Sequence, residues 1–271
     1  MDDTTARTGP VPAAGAETAE AGVGPAPPTG PIPPPAPVEA AMRALVTTKA
    51  HLMRGADLRE SLGAGDDRWR AFAAHWEELS PDRYAAERGT RRLRRYGQFS
   101  LDAVTGEISP LSHVAFVQPE NTNYLYEGVD REFEPLTDAF VRDPLFRAVM
   151  ALLGRIGAVL DSTPTWTAKV HPFRVVASPD GEGDPTPEGR HRDGVTLVSS
   201  LLIDRRNVAG GESSVTTPEG RRLLGATLSE PGDLLLGDDR LTLHEVTPVR
   251  PVDPAQPAYR DVLVTTLTVS S

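Results

Sequence analysis

In the stretch DPLFRAVMALLGRIGAVL, apolar residues recur every three or four positions, so that Phe146, Val149, Met150, Leu153, Ile156 and Leu160 share one face. This predicts an amphipathic helix whose start is marked by Asp143, a capping carboxylate, followed by Pro144 in the first turn. Two further helical segments are predicted upstream, in VEAAMRALVTTKAHLMRGADLRESLG and DDRWRAFAAHWEEL, each ending near glycine or proline. From Thr165 onward the rhythm shortens. The runs WTAKVHPFRVVA, VTLVSSLLI, ESSVTT, DLLLGDD, LHEVTPV and DVLVTTLTV are β-branched and separated by glycine, proline and aspartate clusters. They predict about six to eight short strands, with no intervening helices of the kind a parallel sheet needs. The expected fold class is mostly β with flanking helices: a helical outer layer over 39–160 packed outside an antiparallel sandwich or jelly roll over about 165–271.

Composition shortens the folding unit. Of the 26 prolines, ten lie in the first 38 residues, within a leader, GPVPAAGAETAEAGVGPAPPTGPIPPPAP, that has almost no large apolar side chains to offset the entropy of ordering it. Residues 1–38 are therefore expected to be disordered and 39–271 to form a single domain. The leader lacks the charged start and apolar stretch of a secretory signal, and no run is long enough to span a membrane, so a cytoplasmic location is expected. Cysteine is absent, which excludes disulfides, thiolate metal sites and a thiol nucleophile. A net charge of -10 argues against nucleic acid or an anionic membrane as partner. The one basic cluster, Arg91, Arg92, Arg94 and Arg95, reads as a solvated helix face, although such a group can also grip phosphate.

Candidate chemistry concentrates in the strand-rich half. In GRHRDGV, strand alternation would point His191 and Asp193 the same way and Arg192 away, between glycines that let the backbone turn. An imidazole and a carboxylate at this spacing can take adjacent corners of one metal ion, though a surface turn offers the same triplet. His244, 53 residues downstream in LTLHEVTPV, is the candidate third ligand or else an ordinary half-buried histidine. Two histidines and a carboxylate on one side of a metal are the facial triad of non-haem iron. Arg260, at the head of the last apolar run, would need an anionic partner if buried. Alternation puts Asp261 on the opposite face, which favours a ligand carboxylate.

The order His191-x-Asp193, His244, Arg260 resembles the iron(II)- and 2-oxoglutarate-dependent dioxygenases. HRDGVTLVSSLLIDRRNVAGGES, DDRLTLHEVTP and YRDVLVTTL look like the bacterial L-isoleucine dioxygenase group, which hydroxylates free aliphatic amino acids, over roughly residues 90–269. The resemblance implies a double-stranded β-helix (jelly-roll, cupin-like) core, with His191, Asp193 and His244 as catalytic ligands of Fe(II). It implies Arg260 as partner of the distal carboxylate of the cosubstrate 2-oxoglutarate. It also implies dioxygen-dependent hydroxylation of a small L-amino acid, with release of succinate and carbon dioxide. Val262 stands where many relatives of the wider superfamily carry serine, which leaves the second partner of that carboxylate unassigned. Two alternatives have different consequences: the same chemistry on a peptide- or carrier-bound residue, for which the arginine cluster is the visible docking candidate, or a metal-binding cupin-like domain without turnover.

A zwitterionic substrate needs a cation for its carboxylate and an acceptor for its ammonium group. Gln118, Asn121, Tyr124 and Arg131 in FVQPENTNYLYEGVDREFEPL are candidates, as is Arg174, which shares a strand face with Val170 and Val176 and is expected to point inward. His171, on the other face of that strand, is expected to be structural, and His51, His75 and His113 carry no ligand spacing. Asp238 and Asp239 are expected to form a tight turn before His244, and Gly210-Gly211 another turn.

Overall fold

The computed structural model describes residues 1, 35–87, 89–116 and 130–270. Chain order among them is α1 (Ala36–Thr47), β1 (Ala50–Met53), α2 (Gly55–Ser61), α3 (Asp66–Ala73), a 3₁₀ turn (Ala74–Glu78), β2 (Ser80–Pro81), α4 (Arg83–Ala86), β3 (Arg92–Arg94), β4 (Gly97–Asp102) and β5 (Ile108–Pro110). Then come α5 (Asp138–Arg142), α6 (Pro144–Gly157), β6 (Thr165–Ala177), β7 (Leu197–Arg206), β8 (Val208–Gly210), β9 (Glu212–Thr216) and β10 (Arg222–Thr227). The last four strands are β11 (Leu234–Asp238), β12 (Leu243–Val246), β13 (Val249–Pro251) and β14 (Ala258–Val269). The core is mostly β. A nine-stranded antiparallel sheet runs β1-β11-β7-β14-β6-β3-β2, with β4 also on β6 and β5 on β4. It faces a three-stranded sheet, β10-β9-β12, in a jelly-roll arrangement.

The predicted long helix is α6. Asp143 accepts from the backbone N–H of Leu145 at 2.7 Å and of Phe146 at 3.3 Å, and Phe146, Val149, Met150, Leu153 and Ile156 are buried. That face lies on the outer side of the large sheet in one apolar cluster with Leu101, Trp166 and Leu267. Each such side chain contributes about 1.5–3 kcal/mol by leaving water. Leu160 lies beyond the helix end, partly buried against the same cluster.

The N-terminal half departs from the helical expectation. The first predicted helical segment breaks after α1: Lys49 adopts a left-handed φ of 68°, and Ala50–Met53 then pair with β11 as an edge strand. Tertiary pairing overrides local propensity there. The arginine cluster is also not a helix. Arg92 and Arg94 belong to β3, with both side chains buried, while alternation turns Arg95 outward to the carbonyls of Glu78 and Pro135. Asp82 makes that burial affordable: its carboxylate accepts from Arg92 Nε at 2.9 Å and lies 3.8 Å from Arg94 Nη1.

Both faces of β6 are covered. Trp166, Ala168 and Val170 join the helix-side cluster, whereas Lys169, His171, Phe173 and Val175 line a pocket between the two sheets. Arg260, Val262, Val264 and Thr266 of the neighbouring β14 line the same pocket. No described helix is long and apolar enough to cross a membrane.

Candidate active site

His191 lies on the segment leading into β7, not within a strand, and forms an isolated antiparallel bridge with His244 of β12. The two residues exchange backbone hydrogen bonds of 3.0 and 2.8 Å, which brings the ring centroids to 4.4 Å. Asp193 completes the group: Oδ1 is 4.0 Å from His191 Nε2 and Oδ2 is 3.6 Å from His244 Nε2. Nearest ligand atoms of all three fall within 4.8 Å of one another. Left-handed φ values of 71° at Gly189 and 74° at Gly194 bend the chain on either side of this triplet.

The remaining imidazole nitrogens are turned away from the cluster. His191 Nδ1 is 2.8 Å from the Gly189 carbonyl, so it carries the proton it donates there and presents Nε2 inward. His244 Nδ1 lies 3.5 Å from Asp239 Oδ1, ion-pair range and longer than a normal hydrogen bond. Burial alone would lower the affinity of His244 for a proton, but Asp239, with Asp193 and Glu188, holds its pKa above the usual value. Asp239 also accepts from the backbone N–H of Asp193 at 3.2 Å and of Val195 at 3.0 Å. One buried carboxylate therefore faces the His244 ring and holds the backbone that carries Asp193. The turn expected at Asp238-Asp239 follows β11, with Asp238 bound by Arg240, but Asp239's role as orienter was not legible from spacing. Asp239→Asn is expected to weaken ferrous-ion affinity by about 10–100-fold with little loss of fold, measured by metal titration.

Arg260 stands at another wall of the pocket, 1 % exposed, opposite Val175 on β6 and Arg205 on β7. Its Nε and Nη2 are buried without a hydrogen-bond partner among the described residues, and burial, then the nearby Arg205 charge, push its pKa down to about 10. Asp261 only partly offsets the Arg260 charge and does not bond the guanidinium. As alternation requires, Asp261 lies on the other face, where Arg174 donates to it at 2.8 and 2.7 Å. Gly210 and Gly211, expected to form a turn, instead join β8 to β9 without reversing the chain, since both strands pair in one register with the segment from β12 to β13; a Cβ on Gly211 would sit 3.5 Å from Arg260 Cδ, and its φ of 74° also suits glycine. A buried guanidinium with unmet donors calls for an anion.

Residues 73–266 match the 2OG-Fe dioxygenase family, well over half of the chain. The chain belongs to this family. A bsmA homolog from Methylobium petroleophilum PM1 is 36 % identical, with a TM-score of 0.78 over 86 % of this chain and 93 % of that one. IDO from Bacillus thuringiensis superposes with a TM-score of 0.70 at 16 % identity, over 86 % of this chain and 96 % of that one. The Fe(II)/(alpha)ketoglutarate-dependent dioxygenase TqaL superposes with a TM-score of 0.66 at 20 % identity, over 86 % and 90 %. The latter two likenesses show the fold alone. No curated protein matches.

The dioxygenase accordingly uses Fe(II) and 2-oxoglutarate, and its pocket fits both. An ion bound at about 2.1 Å draws its ligand atoms to within about 4.2 Å of each other, close to the separations at His191, Asp193 and His244. Two imidazoles and a carboxylate are the donor set of non-haem iron with open positions. Arg260's unmet donors suit the far end of a dicarboxylate.

Of the candidate substrate residues, Arg131 reaches the dioxygenase pocket: it is buried, bridges Phe116 through the backbone and packs its guanidinium over that ring at 4.9 Å. Gln118, Asn121 and Tyr124 lie outside the described residues. Arg174 does not point inward as the sequence predicts. It sits on the outer face of β6, held by Asp261 and by Glu77 at 2.8 Å, because the odd-numbered residues of that strand face the pocket. His171, expected to be structural, lines the pocket instead. Glu188, unforeseen in the sequence, does too, with Oε1 3.3 Å from His191 Nε2. His51 and His75 lie outside the pocket, His75 paired with Asp143 at 3.1 Å. Arg174→Met should leave Asp261 buried without its cation and lower stability by about 2–4 kcal/mol in denaturant titrations, with the KM for 2-oxoglutarate unchanged.

Proposed function

We propose that this dioxygenase hydroxylates a free, small L-amino acid, with iron held by His191, Asp193 and His244 and the distal carboxylate of 2-oxoglutarate at Arg260. The observation that carries this reading is the convergence of a two-histidine, one-carboxylate cluster and a buried, unsatisfied arginine on one pocket. That cavity is about 150 Å³. Pockets for drug-sized ligands run to roughly 300–1,000 Å³, so the volume favours a small molecule. The motif resemblance to enzymes acting on free aliphatic amino acids supports the same choice.

Bound iron with 2-oxoglutarate supplies the activation of dioxygen. The chain's residues supply position. Gly189 and Asp239 fix which imidazole nitrogens face inward; Arg260 sets the cosubstrate's orientation by pairing with its far end. Phe116, Val264 and Pro185 wall the cavity against water. Arg131 is the pocket cation for the substrate carboxylate, and Glu188, beside His191, is a suitable acceptor for the ammonium group. The tethered-substrate alternative gains nothing from the arginine cluster, since Arg92 and Arg94 are buried.

Incubation with each of the twenty common L-amino acids, ferrous iron and 2-oxoglutarate in air should give one product heavier by one oxygen, in step with succinate. Succinate coupled only to peptide- or carrier-bound residues would overturn the free-substrate reading.

A further inference from the structure

Along the pocket face of β6, Lys169, His171 and Phe173 follow one another, and β3 places Arg94 opposite Phe173. His171 is 5 % exposed and sandwiched between Tyr96, with ring centroids 4.9 Å apart, and Phe173, at 5.9 Å; Phe116 meets its edge. Arg94 Nη2 sits 2.5 Å from His171 Nδ1. A guanidinium can only donate, so this nitrogen accepts, and the imidazole is neutral with its proton on Nε2. Burial, followed by the charges of Arg94, Lys169, Arg131 and Arg92, pushes the His171 pKa well below the usual value. His171 is thus a rigid donor of one proton in a field of positive charge. Ring faces fix the cationic heads around it: Arg94 over Phe133 at 3.6 Å, Arg131 over Phe116 at 4.9 Å and Lys169 over Phe116 at 5.2 Å.

This cluster is not the Arg260 site. Arg260 pairs across the sheet with Val175, whereas Val264, opposite His171, lies four residues further along β14. At the rise of a strand that places the His171 level about 13 Å from Arg260, with Arg94, opposite Phe173 and so level with Val262, about halfway between. The pocket therefore presents positive charge at two levels: one at Arg260, the other toward the end where Lys169 feels the charge of Asp193. A single cosubstrate anchored at Arg260 leaves the second level for another acid.

We propose that His171, Arg94, Arg131 and Lys169 form a distinct anion subsite that receives the carboxylate of the primary substrate. The enzyme then selects free acids and rejects the same side chain as a primary amide, ester or thioester. This rests on the amino-acid reading above for the identity of the substrate and adds the residues that impose the requirement.

The test uses the full chain and two readouts. In imidazole-detected NMR of the metal-free protein, the His171 Nε2 resonance should move on adding an amino acid that the enzyme turns over, and stay in place with its primary amide at equal concentration. In kinetics, Arg131→Met and His171→Phe should each raise the KM for the amino acid by about 10–100-fold while the KM for 2-oxoglutarate is unchanged, as loss of a hydrogen bond to a charged group predicts. That split also reports an intact fold. A turned-over amino acid whose KM is unmoved by both substitutions, or a rise confined to the KM for 2-oxoglutarate, overturns the subsite. If no amino acid is turned over, yet 4-methylpentanoate shifts His171 and its amide does not, the subsite stands and the amino-acid reading falls. If neither turnover nor that shift is seen, both fall.

Discussion

Replacing His191 or Asp193 with alanine should give a folded protein that retains no ferrous iron and forms no succinate. Each side chain supplies one of three candidate ligand atoms within 4.8 Å of one another, and neither takes part in the apolar clusters that hold the sheets. Loss of a backing carboxylate costs about 10–100-fold in metal affinity, and loss of a ligand itself must cost more. The result is checked by metal analysis after gel filtration together with succinate assay. Because the exchanged hydrogen bonds between His191 and His244 are backbone ones, the bridge survives the substitution, and circular dichroism should match that of the parent.

Arg260→Met should raise the KM for 2-oxoglutarate by at least about 100-fold, since two charge-assisted hydrogen bonds, each worth about 1.5–3 kcal/mol, are lost together. Iron retention should not change, because the triad is built from the segment before β7 and from β12, not from β14. Stability should move the opposite way from an ordinary core substitution. Without cosubstrate the parent buries a guanidinium with two unmet donors, so an apolar side chain of similar length is expected to hold or raise the melting temperature. Adding 2-oxoglutarate should stabilise the parent and leave the variant where it was.

The sequence carried the candidate site best where chemistry restricts residue type. Few side chains can serve as nitrogen and oxygen ligands, so His191-x-Asp193, His244 and a late arginine stand out even without knowledge of their pairing. Orientation was harder. Both faces of β6 are buried, one by helices and one by the pocket lining, so the apolar neighbours Val170 and Val176 pointed to a covered face but not to which one. Alternation alone therefore points Arg174 inward and His171 outward, the reverse of their placement. The arginines of β3 misled for a related reason: dense charge reads as solvated, and only folding reveals that Asp82, ten residues before Arg92, neutralises part of it in the interior. Asp239 gained its role from the β11–β12 connection, which brings it beneath both Asp193 and His244, a tertiary fact that no local spacing encodes. The long helix α6 was legible because its cap and its periodicity agree.

Anomalous diffraction at the iron edge, from crystals grown without oxygen in the presence of Fe(II) and 2-oxoglutarate, addresses the site most directly. The account predicts one iron peak about 2.1 Å from His191 Nε2, a carboxylate oxygen of Asp193 and His244 Nε2, with the keto acid reaching from it to Arg260. An iron peak elsewhere, or a keto acid bound away from Arg260, would contradict it.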